Sequence, residues 1–514
     1  MRPRILVGVA FAGVIATLTG ARAVTAPRSC EDLASLALPH ATVTLAQPVA
    51  AGAFLPPNDT PGDDTPAPNP RAFSALPAFC RVAATLRPSA DSDIKIEVWI
   101  PSASWNGKFQ AVGNGAFNGN IAYPAMAAAL ARGYATGSTD TGHVGNTAAF
   151  AMGHPEKVTD FAWRAVHEMT VSAKSIINAQ TDSAPKYSYW NGCSAGGRQA
   201  LKEAQRFPAD FDGIVAGAPG LDWTGRAAQA IRVVQALEKD ESARLSADKA
   251  RVLHAAALAA CDAGDGVKDG VIDDPTKCRF DPGVIQCKGA DEPGCLTSTQ
   301  VSTARLLYSP VVNPANKRTV AGLQPGSELG WTTMGWTASA RATGRDQFRF
   351  LVFKDPGWDA PRFNVEADLA RAETDDANNI NALDPDVRGF LDRGGKLIQY
   401  HGWSDPQISP VNSVQYYQQV LKTIGDAKVQ GSYRLFMAPG MGHCRGGDGP
   451  SAFDPMAALE QWVERGTAPD RIVASHATAG AVDRTRPLCP YPQVASYTGT
   501  GSTDDAVNFV CKTP

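Results

Sequence analysis

Residues 187–204 read Tyr187-Ser188-Tyr189-Trp190-Asn191-Gly192-Cys193-Ser194-Ala195-Gly196-Gly197-Arg198-Gln199-Ala200-Leu201-Lys202-Glu203-Ala204. The aromatic opening suits a strand, and the stretch from Gly197 to Ala204 is rich in good helix formers. Between them, Gly192-Cys193-Ser194-Ala195-Gly196 fits G-x-S-x-G, a strained strand-to-helix turn that presents a serine hydroxyl at the end of a sheet. Small neighbours are needed there because the chain doubles back on itself. This stretch predicts an α/β-hydrolase fold.

The surroundings agree. Upstream, Ile94, Ile96, Val98 and Ile100 alternate with Lys95, Glu97 and Trp99, the period of a half-buried strand. Lys108 to Val112 reads as a second strand, followed by the Gly-rich turn Gly113 to Gly119, a helix over Ala125 to Arg132, and a strand at Tyr134 to Gly137. Helical spacing runs from Phe161 to Ile177, and Gly213 to Ala216 reads as a buried parallel strand. Alternation resumes with strands at Lys396 to Tyr400 and Tyr433 to Met437 and a helix from Pro455 to Glu464. Between Leu221 and Leu383 it stops. The expected organisation is therefore a hydrolase domain in two parts, 24–220 and 384–514, interrupted by a large inserted lid domain at 221–383. The proline-rich stretch from Pro56 to Arg71 reads as an exposed loop.

The chain has 514 residues, 44% of them hydrophobic and 19% charged, which excludes a mainly disordered protein. A net charge of −3 leaves no basic field for a phosphate backbone, so no nucleic-acid partner is expected. No obligate protein partner is evident. Arg2 and Arg4, the apolar run Ile5 to Leu18, and Ala21-Arg22-Ala23 have the pattern of a signal peptide over 1–23. That run falls short of the ~20 residues needed to span a bilayer, and no membrane association is expected after signal removal. The protein is expected to be secreted or periplasmic, where disulfides persist, and none of its ten cysteines lies in the leader.

A serine nucleophile needs a base, and the base needs a carboxylate to fix its tautomer. His443, in Pro439-Gly440-Met441-Gly442-His443-Cys444, follows the strand ending at Met437, where an α/β hydrolase places its base. His401 is the rival, but it precedes the best acid candidate, Asp405, in His401-Gly402-Trp403-Ser404-Asp405-Pro406. The order Ser194, Asp405, His443 is the nucleophile-acid-base order of that fold. The oxyanion hole would use the amide of Ala195, with a second from the Gly113 to Gly119 turn; Gly115 is the choice and Ala116 the neighbouring alternative. Ser194 and His443 each adjoin a cysteine. If the two loops meet, Cys193 and Cys444 come within bridging reach.

This combination of Cys193-Ser194, Asp405 and His443-Cys444 resembles the tannase and feruloyl esterase family. Further matching motifs are Val112-Gly113-Asn114-Gly115, Ala135 to His143, Gly394-Gly395-Lys396-Leu397 and Arg484 to Pro492. The resemblance implies a serine esterase acting on small aromatic esters, feruloyl or galloyl first. It also implies the pairings Cys193–Cys444, Cys30–Cys80, Cys261–Cys278, Cys287–Cys295 and Cys489–Cys511, which sequence alone does not choose among the alternatives.

In Cys261-Asp262-Ala263-Gly264-Asp265-Gly266-Val267-Lys268-Asp269-Gly270-Val271, three carboxylates at intervals of three and four suit a hard cation, without the closing Glu of an EF-hand. The resemblance implies a structural Ca²⁺ in the lid, held by the side chains of Asp262, Asp265 and Asp269 and the carbonyls of Val267 and Val271. Late in the insertion Trp331, Trp336, Phe348, Phe350, Phe353 and Trp358 gather, and Trp331 and Trp336 are candidates for gripping an aromatic acyl group.

Terephthalate monoesters, substrates of another member of the family, are the runner-up. Ile408 stands where that specialist's aromatic would be sought, and its carboxylate-binding Arg has no clear counterpart among Arg341, Arg345 and Arg349. From another class, a catalytically idle, calcium-stabilised envelope binding protein is the alternative; an intact Ser, Asp and His in order argues against it.

Overall fold

The computed structural model describes residues 28–57, 73–313, 317–332 and 343–514. The expected signal peptide and nearly all of the proline-rich stretch lie outside the described residues, as do Trp336 and Arg341.

One large sheet carries the fold. Its strands are β1 (Ala41–Val49), β2 (Phe79–Leu86), β3 (Ile94–Pro101), β4 (Lys108–Val112), β5 (Ala135–Thr139), β6 (Tyr187–Cys193) and β7 (Gly213–Gly217). After a small hairpin of β8 (Val311–Val312) and β9 (Thr319–Val320) the sheet resumes with β10 (Lys396–Gly402) and β11 (Tyr433–Ala438). The nine strands lie in the order β1-β2-β3-β5-β4-β6-β7-β10-β11. Pairing is antiparallel from β1 through β3 to β5 and parallel from there to β11.

Two-residue periodicity explains how helices cover both faces. Ile214, Leu397 and Leu435 point to one face, packing with Met169, Ala173, Ala200, Leu201, Tyr417 and Val420 of the helices Ala165–Thr181, Ala195–Arg206 and Pro410–Ile424. Their neighbours Val215, Ile398 and Phe436 point to the other, against Met456, Leu459 and Trp462 of the helix Pro455–Arg465. Burying such side chains at roughly 25 cal/mol per Å² is what holds helix to sheet.

The expected strands form, with ends that differ from the expected ones by at most three residues. The sequence reading did not include β1 and β2. In β1 no residue is fully buried, and in β2 buried residues run on nearly without a break, so neither offers a clear periodic signal. Also unread were the C-terminal hairpins β12 (Ile472–Thr478) with β13 (Ala481–Leu488) and β14 (Val494–Tyr497) with β15 (Phe509–Lys512).

Among the described residues between β7 and β10, no strand joins the sheet. This block has its own apolar clusters. One joins the helices Trp223–Lys239 and Val365–Asp376 through Ile231, Val234, Phe348, Trp358, Leu369 and Ala372. The other gathers Val233, Leu237, Leu253, Val301, Leu323 and Trp331. All ten cysteines are bridged, in the five pairs that the family resemblance implies.

Candidate active site

Ser194 sits between β6 and the helix Ala195–Arg206 with φ 64° and ψ −121°, a region costly for a residue with a Cβ. Backbone hydrogen bonds hold it there: its N–H donates to Gly217 O at 3.0 Å, and its carbonyl accepts from Arg198 N at 3.1 Å and Gly220 N at 3.0 Å. The glycines around it are steric necessities. A Cβ on Gly192 would lie 2.6 Å from Gly196 O, and one on Gly113 2.5 Å from Gly196 Cα.

Asp405 follows β10 in the loop where it was expected and is fully buried. Its Oδ1 accepts the amides of Gln407 at 2.8 Å and Ile408 at 3.0 Å, while its Oδ2 lies 2.6 Å from His443 Nδ1. Burial alone would raise this carboxyl, but the charges and hydrogen bonds of His443 and His401 outweigh it and hold it well below the usual carboxylate range. With Nδ1–H donating to Asp405, His443 keeps Nε2 free to accept a proton.

The rival His401 also touches Asp405, with Nε2 at 3.1 Å from Oδ2, but its ring is wholly buried. Nδ1 is engaged by Ser413 Oγ at 2.7 Å and Nε2 also faces Ile408 O at 3.2 Å. Both nitrogens are committed, so His401 braces Asp405 from behind. Ser194 Oγ makes no hydrogen bond among the described residues. Its link to His443 runs through the chain: Cys193 and Cys444, their immediate neighbours, are bridged with a Cα–Cα distance of 6.0 Å across 251 residues of sequence.

Gly196 N donates to Asn114 O at 2.8 Å, bringing the Gly113 to Gly119 turn against the serine turn. The amides of Gly115, Ala116 and Ala195 donate to no acceptor among the described residues, so all three are available to an oxyanion. Asn114, not singled out as a site residue from sequence, organises the turn. Its Nδ2 donates to Asn120 O and Thr139 O, and Gln199 Nε2 donates to its Oδ1 at 3.1 Å. His143 lies below, within 2.7 Å of Phe117 O, with its ring 4.0 Å from that of Phe150. Burial pulls its pKa down to about 4, so it is a neutral prop. The only sequence signal for these residues was their place inside the matching motifs.

Phe117 and Trp223 meet edge-on at 5.0 Å, packed with Phe161 and Ala195. This aromatic wall at the serine turn was not foreseen, because Trp223 opens the block after β7. Trp331 is fully buried; its Nε1 donates to Ser327 Oγ at 3.0 Å and its ring meets Tyr308 edge-on. Arg345 is paired with Glu238, and Arg349 Nε donates to Trp358 O at 2.9 Å.

In the acidic loop, Asp262 accepts the amides of Asp269 at 3.1 Å and Gly270 at 3.0 Å, and Asp265 accepts that of Val267 at 2.9 Å. Asp269 is ion-paired with Arg486 of β13. Among the described residues, no group of three or more His, Cys, Asp or Glu side chains converges to hold a metal. The donor set is nonetheless all oxygen. Burial and the charge of Asp269 raise the Asp265 carboxyl, and burial and the charge of Asp262 raise that of Asp269 against the pull of Arg486 and Arg484. Such desolvated, mutually repelling carboxylates fit a hard divalent cation.

A strained serine at a strand-to-helix turn and a late-strand His–Asp pair define an α/β-hydrolase, and the chain is a carboxylic ester hydrolase of that fold. It belongs to the tannase and feruloyl esterase family, whose model matches residues 80–512. An uncharacterized esterase of Xanthomonas campestris pv. campestris is 41% identical, over 98% of this chain and 93% of its own. A protein of Aspergillus fumigatus named "Probable feruloyl esterase B-1" is 34% identical, over 84% of this chain and 85% of its own. Among solved structures, feruloyl esterase B from Aspergillus oryzae superposes with a TM-score of 0.86 at 32% identity, covering 94% of this chain and 99% of that one. Tannin acyl hydrolase from Aspergillus niger shares the fold with a TM-score of 0.74 at 22% identity, covering 93% and 92%.

Proposed function

We propose that the chain is an exported serine esterase that hydrolyses aromatic-acid esters, feruloyl or galloyl, through an acyl-enzyme. The observation that carries this reading is the 2.6 Å Asp405–His443 contact on a loop disulfide-linked to the residue beside Ser194. Ser194 Oγ attacks the ester carbonyl while His443 Nε2 takes its proton, and Asp405 holds the tautomer and balances the imidazolium. The amides of Ala195 and of Gly115 or Ala116 receive the oxyanion at the N-terminus of the Ala195–Arg206 helix, whose dipole adds to the effect. The intermediate collapses, and His443 returns the proton to the departing alcohol. Water, deprotonated by the same base, then frees the acid and regenerates Ser194.

The naming of the Aspergillus relatives as feruloyl esterases supports feruloyl esters, and the wall of Phe117 and Trp223 suits a planar ring. Export is supported by the five disulfides and by the charge and apolar pattern of residues 1–23. Among the described residues no helix is long and apolar enough to cross a membrane.

The test is hydrolysis of methyl ferulate and methyl gallate by the wild type and by Ser194→Ala. Turnover by the wild type and none above background by the variant is expected; equal turnover by both would falsify the mechanism.

The acidic loop is proposed to bind Ca²⁺ through the side chains of Asp262, Asp265 and Asp269 and the carbonyls of Val267 and Val271. When bound, the ion would neutralise the loop and join it to the rest of the fold, with no part in the reaction. Chelation should lower the melting temperature and release one equivalent of calcium. A purified protein without metal, and with a melting temperature indifferent to chelator, rules the ion out.

A further inference from the structure

The turn from Gly113 to Gly119 is anchored almost amide by amide. Gly113 N donates to Asn191 O at 3.2 Å, Asn118 N to Gly115 O at 2.8 Å and Gly119 N to Gly145 O at 2.7 Å. Asn114 N donates to Gln199 Oε1 at 3.1 Å, and Phe117 N to Asn146 Oδ1 at 3.2 Å. The amides of Gly115 and Ala116, which have no acceptor among the described residues, are thus bracketed on both sides by anchored ones.

The far bracket comes from the loop after β5. His143 Nε2 donates to Phe117 O at 2.7 Å while Asn146 takes Phe117 N, so both peptide planes flanking Phe117 are held from outside the turn. A carbonyl can only accept, which puts the His143 proton on Nε2 and leaves Nδ1 facing Thr141 Oγ1 at 3.3 Å. The ring is buried and stacked on that of Phe150. Its loop is fixed in turn: Asp140 Oδ1 accepts the amides of Lys95 at 2.9 Å and Gly142 at 2.8 Å, and Thr141 N donates to Thr139 Oγ1 at 3.1 Å. The two loops pack so closely that a Cβ on Gly119 would run into His143 O. Between these holds Ala116 keeps a left-handed φ of 38°, a conformation that persists only where its surroundings over-determine it.

We infer that His143 and Asn146 are positioning residues for ester hydrolysis: by gripping Phe117 through both of its backbone groups, they keep the adjacent Gly115 and Ala116 amides in the arrangement that leaves them open to the oxyanion. Neither side chain acts on the reacting atoms. Their contribution is preorganisation, since donors already in place need no rearrangement as charge develops. The inference rests on the serine-esterase reading above and adds two residues to it that act through a third.

The test measures kcat and KM for methyl ferulate together with two inhibition constants. Benzeneboronic acid forms a tetrahedral adduct on Ser194 Oγ and sets an oxygen where the oxyanion would lie; the amide of ferulic acid stays planar. Wild type, His143→Phe, His143→Gln and Asn146→Ala are compared. In His143→Phe, kcat should fall about 10- to 100-fold with KM within about twofold, as for a donor displaced by a fraction of an ångström. The boronic acid constant should rise by a comparable factor and that of the planar amide should not move, because only the tetrahedral ligand uses the oxyanion donors. His143→Gln, whose amide can still donate to Phe117 O, should lie between wild type and His143→Phe. Asn146→Ala should lose about tenfold in kcat, and it carries the test if His143→Phe does not fold. Inhibition constants do not depend on the fraction of active protein, so a fall in kcat with an unchanged boronic acid constant overturns the positioning role. So does a kcat within twofold of wild type in both His143→Phe and Asn146→Ala. A wild type that cleaves neither methyl ferulate nor methyl gallate fails the esterase reading itself.

Discussion

The edge of the sheet where β6, β7, β10 and β11 end and the block between β7 and β10 are built on different principles. At the sheet edge, position is set over long sequence distances. Ser194 is tied to Gly217 and Gly220, Asp405 to two histidines, and the Ser194 turn to the His443 loop by a bridge spanning 251 residues. In the inserted block, the bridges span 17 and 8 residues, many elements are single turns, and ion pairs such as those of Arg318 with Asp222 and Glu373 add to the apolar clusters. A reacting atom must be placed to a fraction of an ångström, which cooperative backbone pairing achieves, whereas a recognition surface needs only the right groups facing inward.

That contrast can be broken at its strongest point first. Asp405→Asn should keep the fold but lower kcat for methyl ferulate by about 10⁴-fold, because the amide no longer fixes the His443 tautomer. A loss below about tenfold would mean that His443 does not depend on this contact. Next, the two kinds of bridge should differ. Loop-closure entropy gives roughly 5 kcal/mol for removing Cys193–Cys444 and roughly 2.5 kcal/mol for Cys287–Cys295. Denaturant unfolding of the two double Cys→Ala variants measures this, and equal losses would erase the distinction.

The smallest effect concerns the seam between the regions. His254, in the helix Ala247–Cys261, bonds Glu328 at 2.8 Å inside the block and Asp448 at 3.3 Å in the segment after His443. Burial lowers its pKa, but the bonds and charges of Asp448 and Glu328 raise it to about 9 from 6.5. A folded value above the unfolded one means stabilisation that is complete below pH 6.5 and lost as pH rises through about 9, on the order of 2 kcal/mol. His254→Asn should therefore melt lower than wild type at pH 6 and close to it at pH 9.5. A gap that is the same at both values would show that the seam does not titrate.

Much of this architecture was legible because it is local. Side-chain alternation marks β3, strands alternating with helices mark β10 and β11, and the small residues around Ser194 announce a bend that larger ones would block. The edge strand β1 escaped reading because it buries too little to impose a pattern. The role of His401 escaped because a histidine in a strand-end motif looks the same whether it transfers a proton or braces the carboxylate that orients another.

By itself, the sequence determined the parallel part of the sheet, the serine turn, and the order of Ser194, Asp405 and His443 along the chain, since each depends on residues within a few positions of one another or on simple order along the chain. Only the tertiary structure decided which nitrogen of which histidine faces Asp405, and that His401 is wholly buried with both ring nitrogens engaged. Those facts depend on which distant segments meet. Contacts between residues hundreds of positions apart are set by the path of the whole chain, on which local side-chain patterns are silent.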